Sequence, residues 1–298
     1  MPRRTVTLAQ PIDLGRTLGT HLRGSGDPTM RLGGRTVIRA TRTPDGPATL
    51  LFEHAGDRVE VEAWGPGAER ILDAAPAHLG LLDDRGGFHP GDRLIRDLDR
   101  RLPGIRIGRT GAVLVALVPA ILEQKVTGTE AWRGFRGLIR RWGEPAPGPF
   151  GLHLQPSPET LARIPYHELH PLGIERRKAD LIRAVANRAN RYEEIVDLSL
   201  ADAYRRLTAL SGIGPWTAAE VAVRALGDPD AVSVGDFHLK NLVAYAFTGA
   251  RKGTDEEMVE LLEPYRGHRA RVIKLLEASG IRPPAHGPRM APRSIAAI

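Results

Sequence analysis

Two glycines and an aspartate in the C-terminal half are the residues best suited to chemistry. Gly212 and Gly214 lie one residue apart, and Asp236 follows Gly214 after twenty-two positions. Glycine adopts backbone angles closed to other residues and places no side chain between its amides and a ligand. Pro215 suits the first position of a helix, and the N-terminal end of a helix favours anions. This segment predicts a phosphate-binding hairpin with a carboxylate held nearby.

Asp236 allows two interpretations. It immediately precedes a segment with helical spacing, where an aspartate commonly caps the helix by accepting hydrogen bonds from first-turn amides. The same position favours the ionised carboxylate, which is the form that stabilises positive charge at a reacting centre. One residue can be both cap and catalyst.

The elements that must position these residues change in type near residue 88. Before it, alternating segments at 36–40, 49–53 and 58–63 predict an antiparallel sheet, flanked by helices at 14–22 and 68–75. Residues 1–88 are therefore expected to form a small α+β module. From residue 89 to 282 we expect an all-helical region, and from 283 to 298 a disordered tail. The predicted helices are 91–101, 111–125, 129–142, 158–163, 175–189, 200–209, 215–226, 237–247, 255–262 and 267–279.

Composition excludes several classes of protein. With 298 residues, of which 42% are hydrophobic, the chain is long enough for two or three folded domains. No apolar run approaches the roughly 18 residues of a membrane span, and no signal-peptide core follows the N-terminus. We therefore expect a cytoplasmic protein without a membrane partner. The chain has no cysteine, which excludes disulfides, thiolate zinc sites, iron–sulfur clusters and cysteine nucleophiles.

The charge favours a polyanionic partner. The formal net charge is +7, and residues 101–145 hold eight basic side chains against three acidic ones. Basic groups that neutralise phosphates release condensed counterions and so drive binding to nucleic acid. An ordinary solvated helix surface would show the same run of charges, so the charge alone does not decide between them.

Three blocks of sequence, in order, carry a resemblance to a known family. The first runs from residues 89–104 into 120–127, the second joins 172–174 to 177–179, and the third is the hairpin with Asp236. Over residues 89–280 the chain resembles the helix-hairpin-helix (HhH-GPD) DNA glycosylase superfamily. The likeness is greatest to the bacterial 3-methyladenine DNA glycosylase II group, called AlkA-type.

The resemblance implies an architecture and an activity. Two helical subdomains would enclose a cleft, and the protein would be a monofunctional DNA glycosylase in base excision repair. It would hydrolyse the N-glycosidic bond of a damaged base rotated out of double-stranded DNA, an alkylated purine such as 3-methyladenine, with Asp236 as the catalytic carboxylate. A monomer associated with the bacterial nucleoid and needing no organic cofactor is expected.

The resemblance also assigns a base pocket. Members that cut the strand carry a lysine two residues after the second hairpin glycine, where this chain has Trp216, so no lyase activity is expected. The Trp216 indole would stack on the extruded base, most favourably on a cationic one, or would pack in the core. Phe237 and Tyr265 are further candidates for pocket walls, with core packing as the alternative for each.

Three positions depart from the family pattern. Glu220 and Lys274 stand where the family has pocket aromatics, which predicts a more polar pocket. Glu220 near Lys274 would select a base by hydrogen bonding, or the two would form an ordinary surface pair. Lys125 stands where a bulky apolar residue usually wedges into the base stack. Its methylene stem would fill that space, or its ammonium would contact a phosphate.

The remaining assignments concern DNA contacts and metals. Gln124 would probe the gap left by the base, or simply end a helix, and Thr217 with the amides around Gly212 and Gly214 would hold phosphate. The resemblance implies a monovalent cation, Na⁺ or K⁺, bound by backbone carbonyls. These carbonyls belong to Thr208, Leu210 and Ile213. His167 and His170 are spaced i, i+3 before a proline rather than i, i+4, so we expect no zinc site.

Two other functions stay open at this stage. The chain could be a non-catalytic hairpin protein that binds damaged or bent DNA, its altered pocket having lost turnover. Within the enzyme class, it could prefer deaminated or oxidised bases to alkylated ones. The carboxylate of Asp236 favours an enzyme over a binding protein.

Overall fold

The computed structural model describes residues 2–284, so the predicted tail lies outside the described residues from residue 285 onward. The N-terminal part contains an antiparallel sheet of five strands in the order β1-β5-β4-β3-β2. The strands are β1 (Arg3–Thr7), β2 (Met30–Leu32), β3 (Thr36–Thr43), β4 (Gly46–Ala55) and β5 (Arg58–Trp64). Its short helices are α1 (Leu14–Leu18), α2 (Ala68–Asp73) and α3 (Ala75–His78).

The predicted strands are confirmed, and two further strands lie at the sheet edges. β3 and β4 pair from Thr36 opposite Glu53 to Thr43 opposite Gly46. On β4, Leu50 and Phe52 are fully buried beneath α2, as the alternation predicts. β1 and β2 bury a single residue each, so they lack the alternating pattern that identifies a half-buried strand.

Twelve helices follow within the described residues. They are α4 (Arg93–Arg101), α5 (Val113–Glu123), α6 (Gly128–Trp142), α7 (Pro158–Arg163), α8 (Tyr166–Leu169), α9 (Arg176–Ala186), α10 (Ala189–Glu193), α11 (Leu200–Thr208), α12 (Pro215–Val221), α13 (Leu239–Thr248), α14 (Asp255–Leu262) and α15 (Arg269–Ala278). The expected α+β fold, with a sheet followed by a helical region, is confirmed.

Two predicted helices differ from their predicted form. α9 ends at Ala186, three residues before its predicted bound, and both the main-chain N–H and the side-chain amide of Asn187 donate to the Arg183 carbonyl. α12 is α-helical only to Val221 and continues as a π-helical turn over Ala222–Leu226. Such π turns often occur at functional sites, and this one borders the cleft described below.

The helical region has two principal cores. α5 is buried on all sides and forms the centre of the first, with α6, α9 and α12 packed around it. The second core joins α4, from the beginning of the region, to α13, α14 and α15 at its end. The chain therefore leaves the second core after α4, builds the first, and returns, so the connection before α13 runs between the two.

A buried ion pair joins the N-terminal part to α15. Both Nη atoms of Arg271 donate to the Asp83 carboxylate, each at 2.7 Å, and Nη2 also donates to the Asp84 carbonyl at 2.9 Å. The two side chains are 2% and 1% exposed. Because a buried charge is costly unless it is paired, this contact holds the two parts in a defined arrangement.

Candidate active site

The two glycines of the hairpin have different backbone conformations. α11 ends at Thr208 and α12 begins at Pro215. Gly212 has a φ of 103°, a region that other residues rarely adopt. Gly214 is extended and exposed, and a Cβ there would meet nothing within 4 Å. The turn therefore presents open backbone at Gly214, ahead of the N-terminus of α12.

Gln124 fastens this hairpin to the end of α5. Its side-chain amide donates to the Gly212 carbonyl and to the Thr217 hydroxyl, both at 2.9 Å. Thr217 is 2% exposed, so its side chain does not reach a phosphate at the surface, contrary to the sequence-based assignment. A phosphate contact from this residue would have to come from its main-chain N–H.

Lys125 lies next to Gln124 and has an unusual backbone conformation. It is exposed, and its φ of 54° is positive, unlike that of any other non-glycine residue described in the chain. A non-glycine residue in this region is strained by about 1 kcal/mol or more. This conformation turns the chain sharply between α5 and α6. Lys125 therefore lies in the connection beside the hairpin.

Asp236 accepts three hydrogen bonds. Its Oδ1 accepts the main-chain N–H groups of His238 at 2.8 Å and Leu239 at 2.9 Å, at the beginning of α13. Its Oδ2 accepts the indole N–H of Trp216 at 3.1 Å. The aspartate therefore caps α13 and also faces the first turn of α12, which brings the carboxylate and the hairpin helix together.

A cleft of about 850 Å³ opens beside Asp236, between the α12 side of the first core and the α13–α15 side of the second. Asp236, Phe237, Glu220 and Lys274, all predicted, are among its lining residues. Phe237 is 74% exposed, so its ring is available to a ligand. The polar lining residues that sequence reasoning missed are Thr20, Arg224, Ser233, His238, Asn241, Arg251, Lys252, Glu277 and Arg282.

Glu220 is held on both oxygens. Arg224 donates to Oε2 at 2.6 Å, and the Ser233 hydroxyl donates to Oε1 at 2.5 Å. Burial opposes ionisation of this carboxyl, but Arg224 and Ser233 outweigh it and lower the pKa of Glu220. Arg224 also donates through Nε to the carbonyl of Thr20 at 3.0 Å. The sequence predicted a partner for Glu220 but not this one, and the N-terminal part forms one wall of the cleft.

Lys274 and Glu277 carry shifted pKa values. Both lie on α15 and line the cleft. Burial lowers the pKa of Lys274 to about 8, with Arg224 acting in the same direction and Glu277 and Glu220 opposing it. Burial raises the pKa of Glu277, although Lys274 opposes this. Charged side chains therefore stand in the lining of this cleft beside apolar ones such as Val223 and Ile273.

Two aromatic assignments change in the folded chain. Tyr265 is 7% exposed and packs with Phe247 in the second core, and burial raises its pKa to about 12. Its assignment as a pocket wall was wrong, because the turn after α14 directs the ring inward. Trp216 is half-buried beside the cleft rather than among its lining residues, with its N–H directed at Asp236.

The predicted monovalent cation site lies between α11 and α12. Thr208 is the last residue of α11, where helix carbonyls without intrahelical partners carry partial negative charge, and Leu210 and Ile213 follow in the hairpin before α12. The Leu210 carbonyl also accepts the N–H of Ile213 at 3.0 Å.

Of the two histidines before the proline, His170 has a hydrogen-bond partner within the protein. The Tyr166 hydroxyl lies 2.9 Å from Nδ1 of His170. Within residues 2–284, no group of three or more histidine or acidic side chains converges as a metal site.

None of the helices in the described part of the chain is long and apolar enough to cross a membrane.

Known proteins resemble this chain in sequence. The model of the family described as "HhH-GPD superfamily base excision DNA repair protein" matches residues 118–266, half of the chain. A "Probable bifunctional transcriptional activator/DNA repair enzyme AlkA" of Mycobacterium tuberculosis is 31% identical over 216 residues, covering 71% of this chain and 42% of that protein. A DNA-3-methyladenine glycosylase of Bacillus subtilis is 24% identical over 225 residues, covering 73% and 74%.

The fold has a solved counterpart. The structure of a 3-methyladenine DNA-glycosylase from Archaeoglobus fulgidus superposes with a TM-score of 0.78 at 23% identity, covering 93% of this chain and 98% of that one. This likeness extends over the N-terminal sheet as well as the helical region, since it leaves out only a small part of either chain.

Proposed function

Because the chain belongs to the HhH-GPD superfamily of base excision DNA repair proteins, we propose that it is a monofunctional DNA glycosylase. Its partner is double-stranded DNA, and its substrate is a damaged base, an alkylated purine such as 3-methyladenine. The Bacillus relative is named a DNA-3-methyladenine glycosylase, and the mycobacterial relative is named as a probable DNA repair enzyme with a second, transcriptional function. The chain spans 42% of the length of the mycobacterial relative, so the activity is proposed for this chain from its own site.

The observation that carries the proposal is the position of Asp236. Its carboxylate lines the cleft and is bonded to the helix that begins at the glycine hairpin. When an N-glycosidic bond breaks, the base leaves with the bonding electron pair and positive charge develops on the sugar. A fixed carboxylate beside the C1′ atom stabilises that charge. Water then adds to C1′ and gives its proton to the Asp236 carboxylate.

The hairpin is suited to hold the DNA strand next to this carboxylate. Open backbone at Gly214 and the N-terminus of α12 form a surface that attracts phosphate. Lys125, on the strained turn beside it, supplies a positive charge or a wedge at the site vacated by the base. A monovalent cation on the carbonyls of Thr208, Leu210 and Ile213 would add a further bond to the same phosphate.

Strand cleavage is not part of the proposal. A Schiff base needs an amine next to the reacting sugar, and at the position where the resemblance puts that amine this chain has Trp216. The enzyme would therefore leave an intact abasic strand. No dissociable organic cofactor is needed for hydrolysis by a carboxylate and water.

Replacement of Asp236 by asparagine tests the proposal. Asparagine is also a good helix cap, so Asp236→Asn should keep α13 folded while losing the negative charge. We expect wild type to release bases from alkylated duplex DNA, measured by alkaline cleavage of the abasic product. Asp236→Asn should release them slower by about 100-fold or more.

A panel of duplexes with alkylated, deaminated and oxidised bases extends the test, with mass spectrometry of the released bases. Release of deaminated or oxidised bases alone would keep the enzyme class and change the substrate. If wild type binds the damaged duplexes and releases no base from any of them, the chain is a DNA-binding protein without glycosylase activity, and the proposal fails.

A further inference from the structure

The hydrogen bond between Trp216 and Asp236 gives the tryptophan a role other than stacking on the base. The indole Nε1 donates to Asp236 Oδ2 at 3.1 Å, and the residue lies beside the cleft rather than in its lining. An indole has a single donor and no acceptor. Directing this donor at the carboxylate fixes the ring with its polar edge toward residue 236.

The three donors around Asp236 act on different atoms. Both main-chain N–H groups of α13 are bonded to Oδ1. The χ2 torsion that turns both carboxylate oxygens together is soft. The indole N–H is bonded to Oδ2, so it restrains this torsion from the opposite side of the carboxylate and adds to the hold that α13 exerts on Oδ1.

We propose that Trp216 is a positioning residue, which orients the Asp236 carboxylate toward the sugar through its indole N–H. This inference rests on the proposed glycosylase function. Trp216 is the second residue of α12, the helix whose N-terminus follows the glycine hairpin. The same short helix therefore positions the phosphate-binding backbone and restrains the carboxylate. Binding of the DNA strand and orientation of the Asp236 carboxylate then depend on one element.

The alternative role, stacking on the extruded base, makes a different demand on the side chain. Stacking needs a flat aromatic face, which phenylalanine also has, and does not need the N–H. Positioning needs the N–H and does not need a free face. Trp216→Phe separates the two roles, because it keeps an aromatic ring and removes the donor.

The experiment measures single-turnover base release and, separately, affinity for a duplex with an uncleavable abasic analogue. For Trp216→Phe we expect the rate of base release to fall by about tenfold to about 100-fold, the range for a lost hydrogen bond to a charged group. Affinity for the abasic duplex should stay at the wild-type value. Trp142→Phe, which changes a tryptophan on α6 outside the cleft lining, is the matched control and should keep the wild-type rate.

A double-mutant cycle tests that Trp216 acts through Asp236. In the Asp236→Asn background, Trp216→Phe should cause no further loss of rate, because the charge it orients is already gone. Equal losses in both backgrounds would overturn the inference, as would a wild-type rate in Trp216→Phe or a loss of affinity without a loss of rate.

A spectroscopic measurement covers the case in which Trp216→Phe does not fold. The indole ¹H–¹⁵N resonance of Trp216 should move upfield in Asp236→Asn, because a charge-assisted hydrogen bond is replaced by a weaker one. An unmoved resonance would overturn the inference. These outcomes are distinct from failure of the proposed function, in which wild type itself releases no base.

Discussion

Lys274 is an ammonium held in the wall of the cleft, and its removal should make the protein more stable. Its pKa falls from 10.5 to about 8 because burial disfavours the charged form. At about 1.4 kcal/mol per pKa unit, this difference corresponds to about 3 kcal/mol. We expect Lys274→Met, which keeps the length of the side chain and removes the charge, to raise the free energy of unfolding by up to this amount near neutral pH.

The stability gained in Lys274→Met should decrease as the pH rises. The folded pKa of Lys274 lies below the unfolded value, so between about pH 8 and 10.5 the unfolded chain binds more protons and wild-type stability rises with pH. Below about pH 8 both states are protonated, and the full cost of burying the charge is present. About 2 kcal/mol of the advantage of Lys274→Met should therefore be lost between about pH 7 and about pH 9.5.

Urea denaturation of both proteins at the two pH values measures this difference. Lys252→Met is the matched control, since Lys252 is an exposed lysine that lines the same cleft. The carboxyls that face Lys274, on Glu277 and Glu220, are present in both proteins. Lys274→Met no more stable than wild type near pH 7, or a gain that does not change with pH, would refute the reasoning.

Two further sets of variants test the hairpin and the buried ion pair. Gly212→Ala should lower stability by about 1 to 3 kcal/mol in urea melts, because φ is positive and the new Cβ would lie 3.0 Å from Leu181. A Cβ at Gly214 would meet nothing within 4 Å, so Gly214→Ala should keep the wild-type stability. It should weaken DNA binding in a salt titration, because the new methyl group covers the exposed backbone. Equal losses of stability in Gly212→Ala and Gly214→Ala would contradict this. Arg271→Met should cost about 3 to 5 kcal/mol by stranding the Asp83 carboxylate. Adding Asp83→Asn should recover part of that loss, and no recovery would argue against a stranded charge.

Local patterns predicted most of the architecture. Each predicted helix is present within a few residues of its bounds, because 3.6-residue periodicity, proline starts and glycine ends act over one or two turns. The misses are also local in origin. Edge strands β1 and β2 bury too little to alternate, and α9 ends at Ala186, before the bound that a periodicity count gives.

The cleft was predictable only in part. Asp236, Phe237, Glu220 and Lys274 could be named because they fall at positions matching a family pattern. Arg224 lies four residues after Glu220, a spacing that permits their ion pair, but its bond to the carbonyl of Thr20, more than two hundred positions away in the chain, could not be predicted. No feature of the sequence near Thr20 indicates a pocket wall.

By itself the sequence determined most of the helices and strands and the position of the glycine turn. It also determined that the carboxylate of Asp236 precedes α13. Only the tertiary structure decided which way the side chains face. It buried Tyr265 in a core, fastened Gln124 to the hairpin, and turned the Trp216 N–H toward Asp236. The physical reason is the separation along the chain over which each kind of interaction acts. Turn chemistry and periodicity depend on neighbours within a few residues, whereas the direction of a side chain depends on elements packed against it from distant parts of the chain.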